Sequence, residues 1–161
     1  MKHTDSLFLR ILKAALEGEC LTDAGDVTKA QWDEIFRMAE AHKVIPLVYQ
    51  AAYDRMDPDA AARIRSRVRK MVMLQVLKTQ EFLQLIHKMR EAGCEPIVVK
   101  GLVCRNLYPQ PDLRPSSDED ILIPEDQFAD CCRVLREFGM DTDIPEDKWP
   151  EYFEVTFQKK D

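Results

Sequence analysis

The sequence has no long hydrophobic run. Apolar residues make up 45% of the 161-residue chain, but no stretch approaches the roughly 18 to 20 residues of a membrane-spanning helix. The N-terminal region also lacks the pattern of a secretory signal, because Arg10 interrupts its short apolar patch and no small-residue cleavage site follows. These absences predict a cytoplasmic protein that does not insert into a membrane.

The sequence also lacks cysteines and histidines at metal-ligand spacing. Its five cysteines include no Cys-x-x-Cys motif, and its three histidines lie far apart. The odd number of cysteines argues against a disulfide framework, and the missing motifs argue against a zinc site. We therefore expect reduced, mostly buried thiols.

Positive charge is in short supply as well. The net charge is −6 at pH 7, whereas binding to nucleic-acid phosphates requires concentrated positive potential. We therefore do not expect nucleic acid as a partner. The basic residues between Arg63 and Lys70 spread around a predicted helix, and we interpret them as its solvated start, with a contact surface for an acidic partner as the alternative.

What the sequence does contain is a change of hydrophobic period near residue 93. Before it, apolar residues recur at helical steps, and the longest such segment runs from about Asp59 to Glu91. Its apolar stripe, which includes Leu74 and Leu77, is broad enough to predict burial against more than one neighbour. After residue 93, short β-branched runs alternate with helical stretches. The pattern predicts an α+β fold, with a helical N-terminal region (1–92) packed on a small mixed β-sheet core (93–161).

The predicted elements can be given by residue number. Thr28 or Asp26 is expected to cap the second helix, and Pro46 to open the third. The run Ile97-Val98-Val99 is expected to be a buried strand because it is short and β-branched. The predicted helices are 6–16, 29–42, 46–54, 59–91, 102–107 and 124–138, and the predicted strands are 97–99, 118–123 and 152–158.

The stretch from Glu95 to Ile123 concentrates the chemistry. Lys100 and Gly101 stand at a predicted strand-to-helix junction, where unpaired backbone N–H groups favour an anion. Asp118 and Asp120 are two residues apart in the next predicted strand and so project from the same face. Two neighbouring carboxylates repel each other unless a cation lies between them, which suggests a divalent-metal site.

Glu119 stands between these two aspartates and points to the opposite face. If that face is buried, the Glu119 charge requires a partner, because an unpaired buried charge is costly. Alternatively, the segment is an exposed strand end. The sequence leaves both possibilities open.

Several motifs occur together: Val99-Lys100-Gly101, Tyr108-Pro109, Arg114, Ser117 to Ile123, and an Ala-x-x-His-x-Val-x-Pro segment from Ala39 to Pro46. In combination they resemble the bacterial uncharacterised nucleotidyltransferase family, which belongs to the polymerase-β-like nucleotidyltransferase superfamily. The resemblance covers roughly residues 30 to 160. It implies that residues 93–161 form a nucleotidyltransferase-like core.

The resemblance implies roles for particular residues. Asp118 and Asp120 would be the catalytic pair that holds Mg²⁺ on a nucleoside triphosphate, while a hydroxyl of an unknown acceptor substrate attacks the α-phosphate. Lys100 and Gly101 would steady the phosphate chain, and Arg114 or Ser117 would add a contact. The superfamily's third carboxylate, often the base, comes from a later strand. We therefore expect it beyond Asp161, in a core that is incomplete at its C-terminus.

The same residues leave three other functions open. A nucleotidyltransferase-like scaffold would bind a nucleotide or partner without catalysis. A glycosyltransferase also uses Asp-x-Asp, but such folds place several alternating strands and helices before the motif, whereas here a long helical region precedes it. An all-helical interaction protein would leave the acids in a capped loop.

Overall fold

The structure is a computed structural model that describes residues 3–159. These residues form six α-helices, short 3-10 turns and four two-residue strands, which confirms the α+β class. None of the described helices is both long and apolar enough to cross a bilayer. The helices are α1 (His3–Glu17), α2 (Lys29–Ala41), α3 (Ile45–Ala52), α4 (Pro58–Glu91), α5 (Leu102–Arg105) and α6 (Phe128–Glu137). The strands are β1 (Ile97–Val98), β2 (Ile121–Leu122), β3 (Met140–Asp141) and β4 (Gln158–Lys159).

Local signals set both ends of α2. At its start the Thr28 hydroxyl accepts a hydrogen bond from the Gln31 N–H over 3.3 Å, and the Thr28 N–H donates to the Gln31 side chain over 2.8 Å. This capping box confirms Thr28 as the cap. At its end Lys43 has a φ of 56°, and the Val44 N–H donates to the Ala39 carbonyl over 2.8 Å. The helix thus ends in a Schellman motif with lysine where glycine is usual.

Backbone contacts group the chain into two compact units. The first comprises residues 1–79 and 100–119, and the second comprises residues 80–99 and 120–161. Helix α4 contributes its first 22 residues, 58–79, to the first unit and the remainder to the second. The sequence predicts a boundary after residue 92, where the period of the hydrophobic pattern changes. That boundary stays a prediction.

The first unit is built on a helical core. Helices α1, α2 and α3 pack against one another, and the early part of α4 adds Ala60, Ala61 and Val68 to the same cluster. The predicted inner face of α2, which consists of Trp32, Ile35, Phe36 and Ala39, is buried as expected. Each fully buried large apolar side chain contributes about 1.5 to 3 kcal/mol. Apolar burial therefore accounts for the stability of this unit.

The second unit contains the β1–β2 ladder. The two strands are antiparallel, with Ile97 opposite Leu122 and Val98 opposite Ile121. The prediction of a buried strand is wrong for Ile97, which is 60% exposed, and for Val99, which is 37% exposed. Neighbouring strand residues face opposite sides of the ladder, and only the side of Val98 and Ile121 is partly covered.

Helix α6 anchors the rest of this unit. Its residues Cys131, Cys132, Val134 and Leu135 are buried, and Cys94 is buried as well. Burial raises the pKa of the Cys131 thiol to about 12 and that of the Cys132 thiol to about 11. The cysteines are free and three of the five are buried, as the sequence predicts.

Helix α4 departs from its predicted apolar face. Leu74 and Leu77 are 49% and 50% exposed, whereas Gln75 between them is only 3% exposed. The Gln75 side-chain oxygen accepts a hydrogen bond from the Ser116 N–H over 2.9 Å. A polar contact therefore turns this side of the helix inward, which hydrophobic periodicity does not reveal.

The strands are shorter than predicted. The second covers only residues 121–122 in place of 118–123, so Asp118 and Asp120 precede it. Of the predicted strand 152–158 only Gln158 is paired, and its partner β3 was not predicted. Aromatic packing organises this region, because the Trp149 ring lies 5.4 Å from Phe128 and 6.1 Å from Phe157. Strand propensity without a partner backbone does not make a ladder.

Candidate functional site

The turn after Lys100 is built around the carboxylate of Glu119. Its Oε2 accepts a hydrogen bond from the backbone N–H of Leu102 over 2.6 Å, and its Oε1 accepts one from Nη1 of Arg105. The Arg105 side chain is fully buried, and the Glu119 side chain is 15% exposed. Of the two possibilities for Glu119, the structure shows the first: its charge faces inward and is paired with Arg105.

A polar cluster surrounds this ion pair. Arg105 also donates from Nη1 to the Ser116 hydroxyl and from Nη2 to the Thr79 hydroxyl, the latter over 3.2 Å. The Thr79 hydroxyl donates to the Gln75 carbonyl over 2.9 Å. We use the name Arg105 cluster for these five residues: Gln75, Thr79, Arg105, Ser116 and Glu119. Such connected hydrogen bonds in a low-dielectric interior hold their members in one arrangement.

Gly101 allows the Glu119 carboxylate to approach the backbone. Its φ is 56° and its ψ is −102°, a conformation that side chains other than hydrogen disfavour. A Cβ placed on Gly101 would lie 2.6 Å from Cδ of Glu119 and 2.9 Å from the backbone oxygen of Asp118. The glycine is therefore required here by both backbone conformation and space.

This arrangement changes the interpretation of the predicted phosphate-binding turn. The Leu102 N–H, one of the groups expected to meet phosphate, donates to the protein's own Glu119 carboxylate. Helix α5 has only four residues, so its aligned peptide dipoles add little attraction for a further anion. Lys100 is exposed, and a role for Lys100 and Gly101 in nucleotide binding stays a prediction.

The two predicted metal ligands flank Glu119 in the sequence. Asp118 is exposed, and its Oδ1 accepts a hydrogen bond from the Ser117 hydroxyl over 2.9 Å. In the second unit, the partly buried Asp120 accepts a bond from the Val99 N–H at its backbone carbonyl over 3.0 Å. A carboxylate has about four lone-pair sites, so Asp118 keeps capacity for a cation after accepting from Ser117. Metal binding by these two residues stays a prediction.

Arg114 lies beside Tyr108, and the sequence singles out both residues. The guanidinium carbon is 5.6 Å from the centre of the Tyr108 ring. Such a cation over an aromatic face is attracted by about 0.5 to 1 kcal/mol at an exposed site. The contact orients Arg114, while its predicted contact with a nucleotide stays a prediction.

The chemistry of the donor set fits Mg²⁺ bound together with a nucleotide. Within residues 3–159, no three histidine, cysteine, aspartate or glutamate side chains come together as a ready-made metal centre. Mg²⁺ usually takes one or two protein carboxylates and completes its shell with water and substrate phosphate oxygens. Asp118 and Asp120 supply hard oxygen donors of that kind.

Sequence reasoning missed most of the Arg105 cluster, namely Gln75, Thr79, Arg105 and Ser116. One signal was available on α4, where Gln75 and Thr79 are four residues apart and therefore lie on the same side of the helix. Two polar residues at that spacing within an apolar segment indicate a polar contact. Their partners, Arg105 for Thr79 and Ser116 for Gln75, follow only from the tertiary structure.

The motifs can be compared with known families. The model of a family described as uncharacterised nucleotidyltransferase matches residues 28–160, a span that includes Lys100, Gly101, Asp118 and Asp120. No curated protein and no solved structure gives a significant match. The match confirms the resemblance that the motifs indicated and covers most of the chain. The chain belongs to the uncharacterised nucleotidyltransferase family.

Proposed function

We propose that this chain is a Mg²⁺-dependent nucleotidyltransferase domain, which transfers a nucleoside monophosphate from a nucleoside triphosphate to a hydroxyl acceptor. The observation that carries the proposal is the family match over residues 28–160. It includes the residues whose types suit the reaction, two closely spaced carboxylates for a metal ion and a lysine for phosphate.

The position of Glu119 supports the roles of its neighbours. Arg105 and the Leu102 N–H hold the Glu119 side chain inward. The Glu119 carboxylate is thereby engaged by the protein, so of the three consecutive acids we assign the metal to Asp118, which is exposed, and to Asp120. The central acid thus serves the structure.

The proposed reaction divides the work among these residues. Asp118 and Asp120 would hold Mg²⁺, which when bound supplies positive charge beside the phosphates. Lys100 would donate charge-assisted hydrogen bonds to phosphate oxygens, and Arg114 or Ser117 would add a contact. The acceptor oxygen forms a bond to the α-phosphorus, the bond to pyrophosphate breaks, and the hydroxyl proton passes to a base. Fixing the reactants in this geometry is the main contribution of the protein.

Nucleotide binding without transfer is the second candidate. It is favoured by one observation, that no third acid joins a metal-binding group within residues 3–159. The two candidates differ in pyrophosphate release, which transfer requires and simple binding does not. Incubation with Mg²⁺, each nucleoside triphosphate and panels of sugar, nucleotide and protein hydroxyl acceptors would separate them.

We expect the double substitution Asp118→Asn and Asp120→Asn to abolish metal-dependent nucleotide binding. The amides remove both negative charges but preserve side-chain size, so the metal loses its anionic ligands. The affinity for the Mg²⁺–triphosphate complex should fall at least about 10-fold. Losing a residue that only hydrogen-bonds a metal ligand already costs about 10-fold to 100-fold in metal affinity. Isothermal titration of the four nucleoside triphosphates, with and without Mg²⁺, measures the effect.

The double substitution Asp126→Asn and Asp143→Asn is the matched control, because it removes two exposed aspartates and changes net charge equally. It should leave Mg²⁺–triphosphate affinity within about 2-fold, since neither aspartate belongs to the proposed metal site and salt screens exposed charges. Equal affinities in the wild type and in the Asp118 and Asp120 variant, with both proteins folded by circular dichroism, would refute the proposed metal site.

A further inference from the structure

The first unit contains a basic pocket of which the proposed function has used only Ser117. Its volume is 320 Å³, which lies within the range of small-molecule sites. Its walls come from the end of α2, from one side of α4 and from the segment before Asp118. The charged and hydroxyl-bearing side chains that line it are Glu40, Lys43, Arg67, Lys78, Ser116 and Ser117.

Positive charge dominates this basic pocket. Glu40 pairs with Arg67, and the hydrogen bond and charge of that guanidinium lower the pKa of the Glu40 carboxyl. Arg67 has five N–H donors, and Glu40 engages Nη2 alone. Within residues 3–159, Lys43 and Lys78 form no ion pair or side-chain hydrogen bond. The pocket therefore presents two unneutralised cations in a chain whose net charge is −6.

Lys43 occupies a position that would suit glycine better. It ends α2 with a φ of 56°, in the left-handed region that ordinary side chains disfavour. A lysine in such a conformation points to a use for its side chain, because strained backbone positions cluster at functional sites. Here the side chain lines the basic pocket.

Two serines connect the basic pocket to the proposed catalytic segment. The Ser116 hydroxyl accepts a hydrogen bond from buried Arg105, which fixes that wall of the pocket. The Ser117 hydroxyl donates to the Asp118 carboxylate over 2.9 Å. The Nε2 of Gln75, whose side-chain oxygen holds the Ser116 N–H, is a buried donor with no acceptor among the described residues. The pocket thus ends one residue from a proposed metal ligand.

We propose that the basic pocket binds the phosphate chain of the donor nucleotide. The inference rests on the proposed function, which places a metal-bound triphosphate at Asp118. Lysine ammonium, guanidinium and hydroxyl donors are the groups that bind phosphate oxygens. A phosphate chain in the pocket would neutralise Lys43 and Lys78 and would lie beside the Ser117–Asp118 hydrogen bond.

Pyrophosphate without metal is the direct probe, because its binding requires neither the nucleoside nor Asp118 and Asp120. We expect Lys78→Gln to weaken pyrophosphate binding about 10-fold, the loss expected for one charge-assisted hydrogen bond. Lys88→Gln removes the same charge from an exposed position farther along α4 and should leave the affinity unchanged. Isothermal titration at fixed ionic strength measures all three proteins.

Two further substitutions separate binding from folding. Lys43→Gly should weaken pyrophosphate binding and at the same time raise the melting temperature by about 2 to 4 °C, because it relieves the left-handed backbone. Glu40→Gln removes the acid of the pocket and should tighten binding. Opposite effects on stability and affinity at residue 43 cannot come from damage to the fold.

Competition with nucleotide identifies the source of the phosphate. Displacement of pyrophosphate by Mg²⁺–triphosphate supports the assignment to the donor nucleotide. Pyrophosphate binding that nucleotide does not displace, or that Lys43→Gly and Lys78→Gln leave unchanged, overturns it. If Mg²⁺–triphosphate binding depends on Asp118 and Asp120 but not on Lys43 and Lys78, the inference fails while the proposed function stands.

Discussion

Replacing Arg105 by methionine is expected to destabilise the protein by about 3 to 5 kcal/mol, the usual cost of removing one partner from a buried ion pair. The Arg105 side chain is fully buried and donates to Ser116, Glu119 and Thr79. Methionine retains much of the side-chain volume but none of the donors, so the Glu119 carboxylate loses its counter-ion inside the protein. Urea unfolding followed by circular dichroism measures the loss.

A second substitution tests the reason for this loss. Adding Glu119→Gln to Arg105→Met removes the orphaned charge and leaves an amide oxygen to accept from the Leu102 N–H. We expect the pair of changes to recover at least about 1 kcal/mol relative to Arg105→Met alone, because the desolvated charge is the main penalty. Breaking the exposed pair of Arg67 and Glu40 by Arg67→Ala should cost within about 1 kcal/mol. Equal losses for Arg105→Met and Arg67→Ala would contradict a buried role for Arg105.

Replacing Gly101 by alanine is expected to cost about 2 to 5 kcal/mol, from strain at positive φ and from a steric collision. The new Cβ would fall 2.6 Å from Cδ of Glu119 and 2.9 Å from the Asp118 backbone oxygen. Because one of these atoms belongs to the backbone, rotation of a side chain cannot relieve both contacts. The unfolding free energy of the variant, from denaturant titration, gives the cost.

Gly25→Ala is the control for the conformational part of this cost. Gly25 has a φ of 63°, and no atom of residues 3–159 lies within 4 Å of a Cβ placed there. It should lose only about 1 kcal/mol, the penalty of a left-handed backbone alone. If Gly101→Ala costs no more than Gly25→Ala, the close approach of Glu119 does not exist in solution.

Both variants concern the same physical link between fold and site. The Arg105 cluster joins α4, the turn after Lys100 and the segment that leads to Asp118. Without the Arg105 cluster, Glu119 would no longer be held away from Asp118, and the segment that carries Asp118 would lose its fixed position. We therefore expect Arg105→Met to weaken Mg²⁺–triphosphate binding as well as stability.

Helix positions could be predicted because their signals are local. The Thr28–Gln31 capping box, Pro46 near the start of α3 and Gly93 after α4 each act within a few residues of the helix end. Strand lengths could not be predicted in the same way. Residues 152–157 have high strand propensity, yet only residues next to a partner backbone at Met140 and Asp141 form β4.

The candidate site could likewise be predicted where local signals suffice, but not where tertiary contacts decide. Lys100, Gly101, Asp118 and Asp120 could be selected because residue type and spacing suffice to suggest metal and phosphate chemistry. The inward position of Glu119 could not, since its partner Arg105 is 14 residues away and is buried by contacts with Thr79 and Ser116. Alternation along the sequence separates the middle acid from the outer two, but only the buried Arg105 decides that Glu119 faces inward.

A crystal structure with Mn²⁺ and a non-hydrolysable nucleoside triphosphate tests the proposed site most directly, because manganese is located by its anomalous scattering. We expect one manganese within about 2.5 Å of a carboxylate oxygen of both Asp118 and Asp120, with phosphate oxygens completing its shell. Glu119 should remain on Arg105. Manganese and nucleotide bound away from both aspartates, or Glu119 released from Arg105 to take the metal, would contradict the proposed division of roles among the three acids.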